Sequence, residues 1–354
     1  MRQIHQILPC LSAGDAIGNH TLEIQEILRR WGYTSHIFTD DIHKEVRSFA
    51  KPYVQYKRYS SPDNLLIYHF SVGSPVSELV KTLPDKKILI YHNITPPEFL
   101  RGFEDYTYEV LRKGRDELKT FRGLCHLALG DSEFNRRELE EIGFRPTGVL
   151  PIIVDFEKYK TPPRSAIITK YQDGYTNLLF VGRIIPNKRQ EDVLLAFYFY
   201  KKYINPKSRL FLVGLNGIER YDLLLGELIR RLKLEDVYFT GKIQFDELLA
   251  YYTVSHVLLC MSEHEGFCVP LIEAMYFKVP ILAYKAASIP YTLGNSGVLV
   301  HSKKYEEIAE MIHLLVEDQD LRTKIIQSQL RRLEFFHKSR LEQVLKGYIQ
   351  QVIG

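Results

Sequence analysis

The chain alternates short apolar runs with amphipathic helical segments, and this order constrains the fold more than any other feature of the sequence. In the first half, the candidate strands are residues 3–8, 35–38, 65–69, 87–91, 124–129 and 148–152. Helical spacing of apolar residues occurs between several of them, at residues 21–31, 75–83 and 132–142, the last behind an expected N-cap at Asp131. This alternation favours a parallel sheet with helices on both faces.

The same order restarts in the second half. Candidate strands there are residues 177–181, 209–213, 237–240, 257–260 and 280–284, with helical segments at 191–203, 220–232, 306–317 and 340–352. Pro162 and Pro163 mark the linker, because proline disfavours both a helix interior and a central strand. At 354 residues the chain is longer than one core usually serves. We therefore predict two doubly wound α/β domains, residues 1–160 and 161–337, with a helix at about residues 338–354 packing back on the first.

Composition narrows the choice of partners. A net charge of +4 suits small anions or an anionic membrane surface but is too small for a nucleic-acid footprint. The four cysteines have neither zinc-site spacing nor the density of a disulfide scaffold, which fits a reducing compartment. The N-terminal segment is too polar for a signal peptide, and no stretch of about 20 apolar residues follows. We expect a cytoplasmic protein, and contact with the inner face of the membrane is a further hypothesis.

The most informative motif is SEHEGFCVPLIEAM, residues 262–275, directly after an apolar strand. Glu265 lies in the loop, and Glu273 is expected in the first turn of a helix that starts near Pro270. Backbone N–H groups of residues 266–269 can face an anion there, supported by the helix dipole. One carboxylate can accept hydrogen bonds from sugar hydroxyls and the other from a ribose. The alternative is a pair of solvated surface carboxylates, the usual state of glutamate.

Two cations follow the first strand of the second half. In VGRIIPNKRQ, Arg183 and Lys188 flank a turn that contains proline, and Arg189 is the expected bystander. A planar guanidinium and a compact ammonium together suit a diphosphate, whereas a solvated basic turn is the alternative.

A loop with two glycines, SAGDAIGN at residues 12–19, follows the first strand of the chain. Gly14 gives the backbone freedom to approach a phosphate, and Asp15 is a polar partner for a donor or acceptor. A plain turn between strand and helix is the competing interpretation. The loop lacks GxGxxG, which argues against a nucleotide-dependent dehydrogenase or epimerase.

Together these motifs resemble the retaining GT-B glycosyltransferases of family four, the group 1 glycosyl transferases. The paired glutamates and the GR...K loop of that family stand here as Glu265 with Glu273 and as Gly182 to Lys188. LFLVG at 210–214, VYFTGKI at 237–243 and ASIPYTLGNSGVLV at 287–300 follow in family order. In the first half, His92 in LIYHNITPPEF occupies the place of a family histidine near the donor sugar. The frequent EGFGLP reads EGFCVP here, so that a side chain enters the expected phosphate loop.

The resemblance implies two domains that face a central cleft and a hexose transfer with retention, with mannose from GDP-mannose as the suggested donor. It implies no metal and no cofactor, because the nucleotide sugar is a substrate and protein cations stabilise the leaving diphosphate. The implied catalytic residues are His92, Glu265, Arg183 and Lys188. The implied donor-binding residues are Gly14, Asp15, Gly214, Lys242, Ile243, Gly266, Phe267, Cys268, Val269 and Glu273. Within this set, Glu265 is expected to hold the sugar and Glu273 the ribose.

The implied acceptor is a glycan, a glycolipid or a lipid-linked sugar, bound by the first domain. Residues 99–122 mix aromatic and basic side chains that suit a membrane-surface acceptor, but nearby acids make a solvated mixed face the alternative. A non-catalytic protein that binds nucleotide sugars or carbohydrates would keep the same side chains and stays open. A metal-dependent GT-A enzyme would need Asp-x-Asp, whereas Asp40 and Asp41 are adjacent.

Overall fold

The computed structural model describes residues 3–12 and 14–354. The chain divides into two compact units. The first unit holds the chain up to Pro97 together with Tyr106–Asp155 and Phe336–Gly354, and the second holds Glu98–Asp105 and Phe156–Phe335. The segment Glu98–Asp105 therefore groups with the second unit, although it precedes the linker that the sequence suggests.

The first unit is built on a seven-stranded parallel sheet in the order β3-β2-β1-β4-β5-β6-β7. Its strands are β1 (Ile4–Leu11), β2 (Ile37–Ile42), β3 (Ala50–Pro52), β4 (Leu65–Phe70), β5 (Lys86–Tyr91), β6 (Leu127–Gly130) and β7 (Thr147–Val149). Its first helices are α1 (Ala16–Arg30), α2 (Pro75–Thr82), α3 (Asp105–Lys119) and α4 (Glu133–Ile142). All six residues of β4 are buried, as expected for a central parallel strand covered on both faces.

The second unit has a six-stranded parallel sheet in the order β10-β9-β8-β11-β12-β13. Its strands are β8 (Thr176–Val181), β9 (Ser208–Val213), β10 (Val237–Gly241), β11 (Val257–Cys260), β12 (Ile281–Tyr284) and β13 (Val298–Val300). Its helices are α5 (Ser165–Tyr171), α6 (Gln190–Phe199), α7 (Glu219–Leu232), α8 (Phe245–Val254), α9 (Val269–Tyr276), α10 (Ile289–Leu293), α11 (Tyr305–Glu317) and α12 (Gln319–Leu333), with a π-helical turn at Tyr200–Ile204. The prediction of two doubly wound α/β units is confirmed.

The strand order reverses once in each sheet, and this reversal marks where a ligand can bind. In the first sheet β1 lies between β2 and β4, and in the second β8 lies between β9 and β11. The helices that follow the two strands at such a point pass to opposite faces of the sheet, which opens a crevice at the carboxyl ends of the strands. The loops after β1, β4, β8 and β11 are therefore the places to look for a site.

One local prediction is wrong and two strands were missed, for identifiable reasons. The N-cap of α4 is Ser132, whose side chain accepts a hydrogen bond from the N–H of Asn135 at 3.3 Å, while the carboxylate of the expected cap Asp131 bonds to a histidine. The strands β3 and β13 were not predicted. Each has only three residues, too few to show an alternating pattern.

The last helix, α13 (Lys338–Ile353), packs on the first unit. It buries Leu341, Leu345, Ile349 and Val352 in the same apolar cluster as residues of β1, β4, β5 and β6. The hydroxyl of Tyr348 also accepts the backbone N–H of Val149 at 3.0 Å. No helix in the described part of the chain combines the length and the apolarity needed to cross a bilayer.

Leu345→Ala should lower the free energy of unfolding of the first unit by about 2–5 kcal/mol, because it leaves a cavity under α13. Urea denaturation followed by circular dichroism measures the change. Gln350→Ala on the exposed face of the same helix is the matched control and should change stability by less than about 0.5 kcal/mol. Equal effects of the two substitutions would show that α13 is not part of the packed unit.

Candidate functional site

The two loops at the reversal point of the second sheet are fastened to each other. After β8 the chain runs through a short 3-10 helix, Pro186–Lys188, and after β11 it runs through the loop that carries Glu265. The backbone carbonyl of Asn187 accepts the N–H of Glu263 at 2.9 Å, and its side-chain amide donates to the carbonyl of His264 at 3.0 Å. Asn187 thus fixes the basic turn against the acidic loop.

Lys188 and Glu265 form an ion pair across these loops. Nζ of Lys188 donates a hydrogen bond to Oε2 of Glu265. Glu265 is only 7% exposed. Burial lowers the pKa of the Lys188 ammonium, but the charge of Glu265 and its hydrogen bond outweigh that effect, so the pKa lies above its usual value. Lys188 is therefore charged at neutral pH. Its ammonium has three N–H donors, and this bond uses one of them.

Arg183 lies exposed just after β8, whereas Arg189 forms ion pairs with acidic side chains of the same unit. The backbone carbonyl of Arg183 accepts a hydrogen bond from the side-chain amide of Gln190 at 2.9 Å. No ion pair of its guanidinium is found among residues 3–12 and 14–354. Arg189 contacts Glu191 at 3.1 Å and Asp192 at 3.2 Å. Of these two arginines, Arg183 is the one placed to meet an external anion.

The loop from Gly266 to Val269 leads into α9, and its backbone is shaped by Cys268. Cys268 is the N-cap of α9 in a left-handed conformation, with φ 71° and ψ 69°, which costs a residue with a Cβ on the order of 1 kcal/mol. The carbonyl of Phe267 accepts a hydrogen bond from the hydroxyl of Thr292 at 2.5 Å, which holds the turn. A helix start leaves its first N–H groups without helical partners, so this end of α9 suits an anion.

Glu273 lies just beyond the first turn of α9 and not within it, because the helix begins at Val269, one residue before the predicted start. Its two carboxylate oxygens accept hydrogen bonds from the hydroxyls of Tyr159, at 2.6 Å, and Tyr252, at 2.7 Å. Burial raises the pKa of Glu273, and the two tyrosine hydrogen bonds act against that rise. A ribose would therefore compete with two internal hydrogen bonds for this carboxylate.

Three of the expected donor-binding residues, Gly214, Lys242 and Ile243, follow the ends of β9 and β10. A Cβ built on Gly214 would lie 1.9 Å from the carbonyl oxygen of Gly182. Only glycine at position 214 therefore allows these two backbone segments to lie so close together. Lys242 and Ile243 follow β10, and Ile243 packs on the apolar core of the unit. The side chain of Ile243 thus has a structural role.

The loop after β1 holds Gly14 and Asp15, while Ala13 lies outside the described residues. Asp15 is the N-cap of α1, and its carboxylate accepts the N–H of Gly18 at 3.2 Å. Gly18 is required by packing, since a Cβ there would lie 2.4 Å from the carbonyl oxygen of Ser12. Asp15 is therefore occupied as a helix cap, and a phosphate contact at Gly14 stays a prediction.

His92, at the end of β5, belongs to a buried chain of hydrogen bonds in the first unit. Its Nδ1 lies 2.8 Å from Oδ2 of Asp131, and its Nε2 lies 2.9 Å from Nδ1 of His69. Nε2 of His69 in turn lies 2.9 Å from Oε1 of Gln6. Both ring nitrogens of His92 have partners within the protein and its side chain has no exposed surface, and contact with a donor sugar stays a prediction.

The donor and acceptor in each of these hydrogen bonds follow from the contacts of Gln6. The amide of Gln6 donates to the carbonyl of Thr21 at 3.0 Å, which leaves its oxygen to accept from Nε2 of His69. Nδ1 of a neutral His69 must then accept, so Nε2 of His92 donates. One further proton lies between Nδ1 of His92 and the carboxyl group of Asp131. The His92–Asp131 pair is thus neutral as a whole, which suits its burial.

The comparisons with known proteins show what this chain is similar to. Residues 166–332, within the second unit, match the family model of the glycosyl transferases group 1, which agrees with the resemblance seen in the sequence. O-antigen chain mannosyltransferase B of Escherichia coli is 25% identical over 266 residues, which are 72% of this chain and 65% of that protein. N-acetyl-alpha-D-glucosaminyl L-malate synthase of Bacillus anthracis is 28% identical over 174 residues, 48% of this chain and 43% of that one. The chain thus spans less than two thirds of these curated relatives.

Solved structures of the GT-B fold match both units. Sucrose-phosphate synthase from Thermosynechococcus elongatus superimposes with a TM-score of 0.78 at 16% identity, covering 99% of each chain. HepE from Anabaena, solved in complex with UDP-glucose, gives a TM-score of 0.75 at 18% identity, covering 99% of this chain and 100% of that one. At these identities the likeness establishes the fold.

Several residues of the site had no signal in the sequence. Asn187 and Tyr252 matter through contacts with residues distant along the chain, and Tyr159 lies in a segment without a motif. His69 lies near the end of β4, and its bond to His92 depends on the pairing of β4 with β5.

Acidification should destabilise the first unit through its buried histidines. Burial holds the pKa of His20 and His69 well below the usual value, so the folded chain keeps them neutral while the unfolded chain protonates them near pH 6.5. Their contribution is complete above pH 6.5 and is lost as the pH falls towards the folded values, by about 1.4 kcal/mol each between pH 8 and pH 5.5. Urea denaturation at the two pH values measures the fall in the free energy of unfolding. In His69→Gln this fall should be smaller than in the parent chain by about 1.4 kcal/mol, and in the exposed control His301→Gln it should equal that of the parent. An unchanged loss in His69→Gln would contradict the assignment.

Proposed function

We propose that this protein is a retaining glycosyltransferase that moves a hexose from a nucleotide sugar to a glycan or glycolipid acceptor without a metal ion. The observation that carries the proposal is the buried Lys188–Glu265 pair, which bridges the two loops at the reversal point of the second sheet. Arg183 and the start of α9 follow strands at the same carboxyl edge, and all of these groups lie within the segment that matches the family model.

In this proposal the second unit stabilises the departing nucleoside diphosphate. Negative charge grows on the leaving oxygen, and Lys188, Arg183 and the N–H groups from Gly266 to Val269 are fixed donors for it. Each well-placed donor is worth about 2–4 kcal/mol of transition-state stabilisation. Because the ammonium of Lys188 is already oriented by Glu265, little reorganisation is needed when the donor binds. These charges take the place that a divalent cation would otherwise fill.

Neither glutamate is placed as a covalent nucleophile. The two-carboxylate scheme needs one free carboxylate at the anomeric carbon and one acid across the bond. Glu265 is paired with Lys188, and both oxygens of Glu273 are bonded to tyrosines. We therefore propose that Glu265 orients hydroxyls of the donor sugar, and that the leaving phosphate takes the proton of the acceptor on the same face, which gives retention.

The donor proposed first is GDP-mannose. The name of the E. coli relative, an O-antigen chain mannosyltransferase, supports mannose and a polysaccharide acceptor. The complex of HepE with UDP-glucose makes UDP-glucose the second donor to test. We propose that the first unit binds the acceptor.

A panel of GDP-mannose, UDP-glucose, ADP-glucose and CDP sugars tests the function directly. One donor should raise the melting temperature, since a ligand that binds only the folded state stabilises it, and should release its nucleoside diphosphate with an acceptor present. Activity should be unchanged after EDTA treatment, and NMR of the product should show the anomeric configuration of the donor. Binding without diphosphate release would favour a non-catalytic sugar-nucleotide protein, and activity lost with EDTA and restored by magnesium would contradict metal independence.

Lys188→Ala and Glu265→Ala should each lower transfer by at least about 100-fold, the loss typical of one preorganised charge donor. Each also leaves a buried partner without its counter-charge, so stability falls as well. The double variant Lys188→Met with Glu265→Gln removes both charges and should fold normally while transfer stays lost. Arg231→Ala, an exposed cation on α7, is the control and should keep full activity. Normal kcat/KM in the folded double variant would refute the role of the pair.

A further inference from the structure

Two cysteines lie beside the Lys188–Glu265 pair, and the proposed transfer uses neither thiol. Cys260 ends β11 and Cys268 caps α9, and their Sγ atoms are 4.0 Å apart. A carboxylate oxygen of Glu265 and the two Sγ atoms all lie within 4.8 Å of one another. All three residues are buried, with exposures of 5%, 8% and 7% for Cys260, Cys268 and Glu265.

The spacing of the three atoms suits one metal ion. In a tetrahedral site with Zn–S bonds of about 2.3 Å, two sulfur ligands stand about 3.8 Å apart, close to the separation seen here. Sulfur ligands select borderline or soft cations such as Zn²⁺ and Cd²⁺, whereas Mg²⁺ and Ca²⁺ require more oxygen ligands. Glu265 gives one oxygen to Lys188 and still has lone pairs on the other for a metal.

The charges also balance. On binding, one Zn²⁺ would react with two thiols and one carboxylate. The products would be a zinc complex with two thiolates and one carboxylate, and two released protons. The three anionic ligands and the dication sum to one negative charge, which the ammonium of Lys188 neutralises. The cluster with two neutral thiols is neutral as well, because Glu265 and Lys188 cancel. Neither state leaves a net charge buried, which is the main obstacle to an ion in such a place.

We propose that Cys260, Cys268 and Glu265 form a binding site for a thiophilic divalent cation of the zinc class, and that its occupation blocks the nucleotide-sugar donor. The second half of this statement rests on the proposed function, because the metal would hold Glu265 and Cys268, which that function assigns to the donor. The site is inhibitory and is not required for transfer, so it agrees with activity that survives EDTA.

The binding step is tested with Zn²⁺ or Cd²⁺ alone, by calorimetry on the reduced chain carrying Cys10→Ser. That substitution removes a second, more exposed group formed by Cys10, Asp41 and His43. One ion should bind per chain with release of two protons, so that the affinity rises about 100-fold per pH unit below the thiol pKa values. Cd²⁺ should give the ultraviolet charge-transfer band of cadmium thiolates.

Cys260→Ser should weaken binding by at least about 100-fold, since even loss of an outer-shell partner costs 10–100-fold. Cys125→Ser in the first unit is the matched control and should bind as before. Should Cys260→Ser fail to fold, X-ray absorption on the zinc-loaded chain decides, with two sulfur ligands and at least one oxygen or nitrogen expected. Absence of a cadmium thiolate band, or equal affinity of Cys260→Ser and Cys125→Ser, would overturn the site.

The inhibition step is tested in the transfer assay. Zn²⁺ should inhibit transfer by the Cys10→Ser chain in competition with the donor, EDTA should reverse the inhibition, and Cys260→Ser should keep its basal transfer while becoming resistant to zinc. Transfer that is insensitive to zinc at saturating metal would refute the block. Because metal binding is measured without donor, a chain with no transferase activity would refute the proposed function and leave the metal result standing.

Discussion

The candidate site of the second unit depends on one interaction, the ion pair between Lys188 and Glu265. Two loops that follow non-sequential strands, β8 and β11, are brought side by side by the parallel sheet, and the pair joins them. Because both charges are largely buried, each requires the other, and together they keep a cation oriented at the edge of the sheet. The hydrogen bonds of Asn187 hold the same two loops in register.

The fold and the polar motifs could be predicted from the sequence because each depends on patterns within short stretches of the chain. Apolar runs alternating with helical segments specify a parallel sheet, and motifs such as GR...K and the paired glutamates occur where strands end. Contacts between distant segments do not show in the sequence. Glu273 is held by Tyr159 and Tyr252, and His92 faces inward to Asp131 and His69. A residue type at a strand end thus indicates a polar function without showing whether its partner is a ligand or the protein itself.

The two reversal points of the chain differ in the state of their polar groups. In the second unit, Arg183 is exposed and Lys188 keeps donors for an anion. In the first unit, Asp15 caps α1, and His92 and His69 satisfy each other within the core. The electrostatics of the second unit suit a charged diphosphate. The polar groups named in the first unit are instead paired within the protein.

The bond between Tyr159 and Glu273 links α9 to a segment near one of the four places where the chain passes between the two units. The backbone passes from the first unit to the second between Asp155 and Phe156, and Tyr159 lies three residues beyond that passage. Phe156 stacks on Tyr276 at the end of α9, with ring centroids 4.9 Å apart. The segment Phe156–Tyr159 is thus anchored at two points along α9. A substitution that loosens either contact is therefore expected to disturb α9 within the second unit.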